Sequence, residues 1–352
     1  MDKPRPTAMV TGSSGLLGQQ VCTALAEAGF EVFALDRVGP PEPPKAHPQV
    51  HDIECDLADY ANVHLAIDDV RKRVDAHLDT VVHLAAYYDF SGEDSPLYET
   101  VTINGTDRLL NALDDFQVDQ FIFSSTMLIH KPCEVGQHIR EEDPLEAKWP
   151  YPESKIETER LIRDGHPDVR SVFLRISGVY TDWGKQPTLV QQIKRIYEKD
   201  FQSHFFPGDR TAGQSPVYLD DVVDAIVRTV QRRSEIEPKT AILIGEPDPP
   251  SYGTLQDKIG ELIHGRQWAT MYVPPTVAKV GAAVTDKVSG GEAFIKPFMV
   301  AMADDHYALD ISRATQLLGW KPQHNLLDHL PGIVQRLLDD PDQWYRKNGL
   351  EK

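Results

Sequence analysis

The chain has 352 residues, and its 36 lysines and arginines against 54 acids give a net charge of −18, which leaves no broad basic face for nucleic acid or an anionic membrane. That length can bury a full core in two lobes. Cys22, Cys55 and Cys133 are odd in number and far apart; they suit neither a disulfide framework nor a metal set, and so point to a reducing cytoplasm. The opening MDKPRPTAMV has no signal-peptide apolar region, and no apolar run approaches the ~20 residues that span a bilayer. The expectation is a cytoplasmic protein with no transmembrane segment.

Ala8 to Val10 predicts a strand ending at Thr11, followed by glycines at Gly12, Gly15 and Gly18. The amphipathic run from Leu16 to Ala28 predicts a helix closed by Gly29, and Glu31 to Leu35 a second strand ending on Asp36. Strand, glycine turn, helix, strand and acid in this order describe a dinucleotide-binding unit. Gly12 allows the tight turn, Gly15 lets backbone approach pyrophosphate, and Gly18 lets helix pack on strand. The N–H groups at Ser14, Leu16 and Leu17, at the helix start, face the phosphates. Asp36 is expected to hydrogen-bond the adenosine ribose and repel a 2′-phosphate, favouring NAD over NADP, a preference Arg37 softens.

A proline-dense loop follows, then a strand at Gln49–Ile53 that ends near Asp56 and Leu57. Asp56 reads either as a contact to the adenine edge or as a turn acid. Asn62–Val74 predicts a helix; Thr80–Leu84 a buried strand running into the small residues Ala85 and Ala86; Tyr98–Leu113 a helix carrying Asn104. Gln120–Phe123 is a strand ending in Ser124, Ser125 and Thr126, Tyr151–Ile162 a helix, and Ser171–Ile176 a strand ending near Gly178 and Val179. This alternation predicts an α/β fold, a Rossmann-type doubly wound parallel sheet with ligands beyond the strand C-termini. The domain expectation is a nucleotide-binding domain of residues 1–177 plus about 214–235, with Val217–Val230 a strand turning into a helix. A smaller, discontinuous substrate lobe takes 178–213 plus 236–340, and 341–352 form a peripheral tail.

Tyr151 and Lys155 stand four apart and so share a helix face. An ammonium beside the phenol and the positive nicotinamide ring are expected to lower its pKa, so that Tyr151 accepts a hydroxyl proton as hydride leaves carbon, or donates one in reverse. Lys155 also holds the nicotinamide ribose, and Thr126 hydrogen-bonds the reacting oxygen.

Thr11–Gly18, Val82-His83-Leu84-Ala85-Ala86, Asn104-Gly105-Thr106, Ser124-Ser125-Thr126 and Tyr151-Pro152-Glu153-Ser154-Lys155 resemble the extended short-chain dehydrogenase/reductases, the NAD-dependent epimerase/dehydratase superfamily. The likeness extends to Leu174-Arg175, Val217–Val222 and Leu318–Pro322. It implies NAD as cofactor, held also by Leu84, Ser124 and Ile176; a triad of Thr126, Tyr151 and Lys155 supported by Asn104; and a homodimer. The departures narrow the reaction. Met127 and Leu128 stand where sugar dehydratases of this family carry an Asp-Glu pair. Gly178 replaces the asparagine of nucleotide-sugar epimerases, His130 a usual tyrosine, and Gln214 an arginine that grips diphosphate, a loss Arg210 lies close enough to offset.

Aromatic and apolar residues crowd the expected substrate side: Tyr87, Tyr88, Phe90, Phe205, Phe206, Met271–Val284 and Phe294–Met302. They read either as lobe core or as the wall of a hydrophobic substrate site, and Asp89 either as a partner for a substrate hydroxyl or as a loop acid. The pattern is more similar to the 3β-hydroxysteroid dehydrogenase and dihydroflavonol reductase branch than to sugar dehydratases. The reading is hydride exchange between nicotinamide and a secondary alcohol or ketone on a small molecule, with no metal. The alternatives are a sugar epimerase that keeps NAD bound and a catalytically silent NAD sensor.

Overall fold

In the computed structural model, which describes residues 5–37, 47–274, 276–278, 299–300 and 302–350, the apolar runs of the first half become strands of one sheet. They are β1 (Thr7–Thr11), β2 (Glu31–Asp36), β3 (Val50–Glu54), β4 (Thr80–His83), β5 (Phe121–Thr126) and β6 (Ser171–Ile176), joined by β7 (Thr240–Ile244). The spatial order is β7-β6-β5-β4-β1-β2-β3, every pairing parallel. The order reverses between β1 and β4, the crevice where such sheets bind ligands. β1 and β6 are buried almost throughout because helices cover both faces, which is why they read as unbroken apolar runs.

Helix α1 (Leu16–Glu27) buries Gly18, Val21, Cys22, Leu25 and Ala26, the spacing of one helical face, against the sheet. Helix α2 runs Tyr60–Arg71, starting two residues before the expected Asn62 because Asp59 caps it by accepting the N–H groups of Ala61 and Asn62. Between Tyr98 and Ile103 the chain makes a π-helical stretch before α3 (Asn104–Ala112), so the expected helix holds two hydrogen-bond registers. Helix α4 (Pro150–Arg160) begins with proline at its first position, where the missing N–H costs nothing.

The second lobe is built from α5 (Pro187–Tyr197), α7 (Tyr252–His264), α9 (Leu326–Asp339) and α10 (Pro341–Lys347) around Leu189, Ile193, Ile259, Ile333 and Leu337. Two expectations fail here. Residues 240–244, assigned to this lobe, form β7, paired along β6 from Thr240 opposite Val172 to Ile244 opposite Ile176. The tail expected to be peripheral is helical, and its Trp344 is fully buried in the lobe core. A single tryptophan buries enough apolar area to dock a short polar helix. Helices α6 (Leu219–Gln231) and α8 (Ser312–Leu318) pack on the sheet side, with Trp320 in the core of the first lobe. The lobes are tied by Asp221 in α6, whose carboxylate accepts the N–H groups of Gln323 and His324 at 3.0 Å each.

Candidate active site

At the C-terminal edge of the sheet, Gly12 has φ +71°, and a Cβ there would lie 2.7 Å from the Ala85 nitrogen. A Cβ on Gly18 would lie 2.1 Å from the Gly12 oxygen, so α1 approaches β1 as closely as glycine permits. Gly15 is the N-cap of α1, and no side chain caps the helix start. Asp36, half-buried at the end of β2, accepts the Ser14 N–H at 2.9 Å and the Arg37 N–H at 2.7 Å. An uncapped helix start opposite a glycine cradle, with an acid on its rim, fits the phosphates and adenosine ribose of a dinucleotide. Leu16 stands exposed at the mouth of this turn, with Leu17 partly buried behind it, and Arg37 is exposed.

Beneath the turn, His83 is fully buried between the hydroxyls of Thr11 (2.7 Å) and Thr106 (2.9 Å). Thr106 donates its own proton to the Thr102 carbonyl, so it accepts from His83 Nε2, and Thr11 donates to Nδ1. Burial pushes this imidazole down to about 3, helped by the charge of Lys155; the ring stays neutral and knits β1, β4 and α3 together. Leu84 donates its N–H to the Thr11 carbonyl and Ala85 its N–H to the Thr11 hydroxyl, so residues 84–86 run beside the glycine turn. Asp56 turns its carboxylate to the Ala58 N–H, the turn-acid role, and Leu57 packs its side chain into the core under Gly105. Ile176 ends β6, and Gly178 and Val179 form a short strand beside Pro216–Tyr218 at the same edge.

Tyr151, Lys155 and Glu159 recur every four residues along α4 and so share one face. The Tyr151 phenol lies beside the Thr126 side chain at the end of β5. Lys155, 2 % exposed, donates to the Ser124 carbonyl at 2.8 Å, and its Nζ lies 4.8 Å from the Phe123 ring centroid and 5.9 Å from that of Tyr151. The electrostatics differ from the sequence expectation. Burial, followed by the neighbouring Tyr88 phenol, raises the Tyr151 pKa, and the nearby Thr126 side chain draws it back. Lys155 is itself desolvated, down to about 7 with Glu159 opposing, so at neutral pH it carries only part of the charge expected to lower the phenol. Asn104 sits half-buried at the first position of α3.

Behind α4, Glu159 takes Arg175 in a two-point ion pair at 3.1 and 2.8 Å, with both side chains about 5 % exposed or less. Arg175 also donates to His130 Nε2 at 3.1 Å and to the Glu141 carbonyl at 2.7 Å. His130, where the resembled family has tyrosine, is thus a buried acceptor, and burial followed by the Arg175 charge lowers it to about 4. Met127 turns into the core and Leu128 is partly buried, so no carboxylate follows Thr126.

Tyr88 packs edge-on against Tyr151 at 4.9 Å, and Trp149 lies 5.4 Å from the same ring. Tyr87 packs on Tyr98, while Asp89 folds onto its own loop by accepting from Ser91. Phe90 stacks edge-on to Trp149 and also lines a cavity of about 230 Å3 in the second lobe, with Phe205, Phe206 and Gln214. Met299, Val300 and Met302 lie on the same wall, and Met271 and Tyr272 pair with Phe205–Phe206 while staying exposed. Residues 275, 279–284, 294–298 and 301 of the expected apolar segments lie outside the described residues. Sequence reasoning missed Trp149, Glu159 and Arg195. The four-residue period from Tyr151 signals Glu159; nothing local marks the other two. Among the described residues no group of His, Cys, Asp and Glu is arranged to hold a metal ion.

Comparison with known proteins agrees with this arrangement. The family model described as NAD dependent epimerase/dehydratase family matches residues 8–245. The 3 beta-hydroxysteroid dehydrogenase/Delta 5-->4-isomerase of Mycobacterium tuberculosis is 23% identical over 351 residues, 93% of this chain and 90% of that protein. The 3-beta-hydroxysteroid dehydrogenase of Mycolicibacterium neoaurum is 27% identical over 209 residues, 56% of this chain, and the match spans about half of that relative (52%). UDP-glucuronic acid 4-epimerase from Bacillus cereus, solved with UDP-glucuronic acid and NAD, superposes with a TM-score of 0.69 at 20% identity, covering 94% of this chain and 99% of that one. No helix among the described residues is long and apolar enough to cross a membrane.

Proposed function

Because the chain belongs to the NAD dependent epimerase/dehydratase family, we propose that it is an NAD-dependent oxidoreductase acting on a secondary alcohol or its ketone, with Tyr151 as the acid/base group. One observation carries this reading: Tyr151 shares a helix face with the buried Lys155 and lies beside Thr126, at the sheet edge that also holds the glycine turn. Bound in this cradle, NAD would supply the hydride acceptor for the carbinol carbon, and NADH the donor for the ketone. Tyr151 accepts the hydroxyl proton at its phenol oxygen during oxidation and donates it during reduction. Thr126 orients the reacting oxygen, the protonated fraction of Lys155 puts positive charge beside the phenol and its side chain reaches the ribose, and Asn104 supports the site. Gly12, Gly15, Gly18 and the start of α1 cradle the pyrophosphate, and Asp36 takes the adenosine ribose and disfavours NADP. Met127 and Leu128 supply neither acid nor base next to Thr126, which argues against dehydration.

The test is NADH formation when the purified chain meets NAD and a panel of hydrophobic and sugar alcohols. Tyr151→Phe is expected to lower kcat by roughly 100-fold or more with NAD binding retained; turnover that survives this change overturns the assignment. The likeness to the Bacillus cereus epimerase supports a second reading, an epimerase using the same residues. It expects protein that purifies with NAD bound and shows no net reduction with substrate, whereas a silent sensor binds NAD and turns over nothing. A homodimer in the cytoplasm completes the proposal; sedimentation at graded concentrations checks the dimer.

A further inference from the structure

The second-lobe cavity is apolar along most of its wall, which includes Leu189, Phe205, Leu255, Met299 and Val300. Phe206 and Tyr252 lie face to face there, 3.6 Å between ring centroids at an angle of 8°, and present a flat aromatic slab. Phe90 joins this cavity to the catalytic end, since it packs on Trp149, which packs on Tyr151. Among the described residues, one cation breaks the apolar lining. Arg195, in the last turn of α5, is half-buried and lines the cavity. Its Nε donates to the Gln191 carbonyl at 3.2 Å, and among the described residues no carboxylate lies within ion-pair distance of it. Its neighbours differ: Arg210 is held by Asp257 at 3.3 Å, and the acid on the cavity wall, Asp305, is held by Lys148 at 2.7 Å. A guanidinium against an apolar wall without a counter-charge is unfavourable until a ligand supplies one.

We infer that this cavity takes the flat apolar body of the substrate and reads one negative charge on it through Arg195, which makes the substrate an apolar ring alcohol or ketone carrying a carboxylate. The inference rests on the reading of Tyr151 as the acid/base group, because Phe90 ties the cavity to that end. A diphosphate is the poorer fit: it brings two charges to one open guanidinium, Gln214 is neutral, and Asp257 already engages Arg210.

The test compares a hydroxysteroid bearing a side-chain carboxylate with its methyl ester, using the NAD-loaded protein and its Arg195→Met and Arg195→Lys variants. The acid is expected to exceed the ester at least tenfold in kcat/KM. That ratio should fall toward one in Arg195→Met and be partly kept in Arg195→Lys. Equal rates for acid and ester in the parent protein, or a preference that survives Arg195→Met, overturn the inference while leaving the oxidoreductase reading standing. Should no alcohol be oxidised, calorimetric binding of the acid, the ester and UDP still decides. Arg195-dependent preference for the acid upholds the inference although the redox reading fails, and tighter Arg195-dependent binding of UDP overturns it in favour of a nucleotide-linked substrate.

Discussion

Lys155 is a charged group kept out of water for the sake of its neighbours, and that has a cost the fold must carry. Its pKa falls from 10.5 to about 7 on burial, so between those values the unfolded chain binds more protons than the folded one, and this group makes stability rise with pH. Below about pH 7 the full penalty remains. Lys155→Met is therefore expected to stabilise the cofactor-free protein at neutral pH by a few kcal/mol, less the lost bond to the Ser124 carbonyl, and to abolish turnover. Urea unfolding at pH 7 and again near pH 10 checks the sign, because the advantage should shrink at the higher pH. At this scale the sequence was informative wherever chemistry imposes spacing: Tyr151 and Lys155 one helical turn apart, Asp36 at a strand end, Thr126 closing another. Arg195 was invisible because a lone arginine on an amphipathic helix has no periodic signature; only the fold puts it on the cavity wall.

Among the elements, α4 does most to set the site. Tyr151 faces the crevice, Lys155 lies under it, and Glu159 anchors the helix to β6 through Arg175. Removing one partner of a buried pair leaves the other charge uncompensated. Glu159→Gln is thus expected to destabilise the protein by about 3–5 kcal/mol, read from denaturant midpoints. It should also lower the Lys155 pKa further, since Glu159 is the group opposing its fall. The strands of the first half were legible because both faces are covered and their apolar runs are unbroken. β7 was not, because its five residues lie between proline-rich turns and only pairing with β6 distinguishes them from lobe core. Helix α10 escaped notice since six of its seven residues leave no buried stripe beside Trp344.

For the molecule as a whole, the three thiols report on the fold. Cys22 lies in the core of one sheet face and Cys55 in that of the other, and burial pushes both up to about 12. Cys133 is partly exposed at the loop that meets His306. One thiol of the three should react quickly with a disulfide reagent in native buffer and all three in denaturant, as absorbance of the released chromophore will show. The two-lobe plan was readable from the change of pattern near Gly178, but its seams were not, because Asp221, Trp320 and β7 lace the lobes through contacts between distant parts of the chain.

β7 has a consequence for how the protein is made. As the chain leaves the ribosome, six strands can zip together while β6 waits with its outer row of peptide groups bare, until about seventy further residues have emerged and Thr240–Ile244 pairs with it, becoming an edge whose Leu243 N–H the Glu141 carboxylate covers. A messenger cut short in that interval yields a nearly finished sheet with one sticky border, a product prone to clump rather than to work at reduced rate.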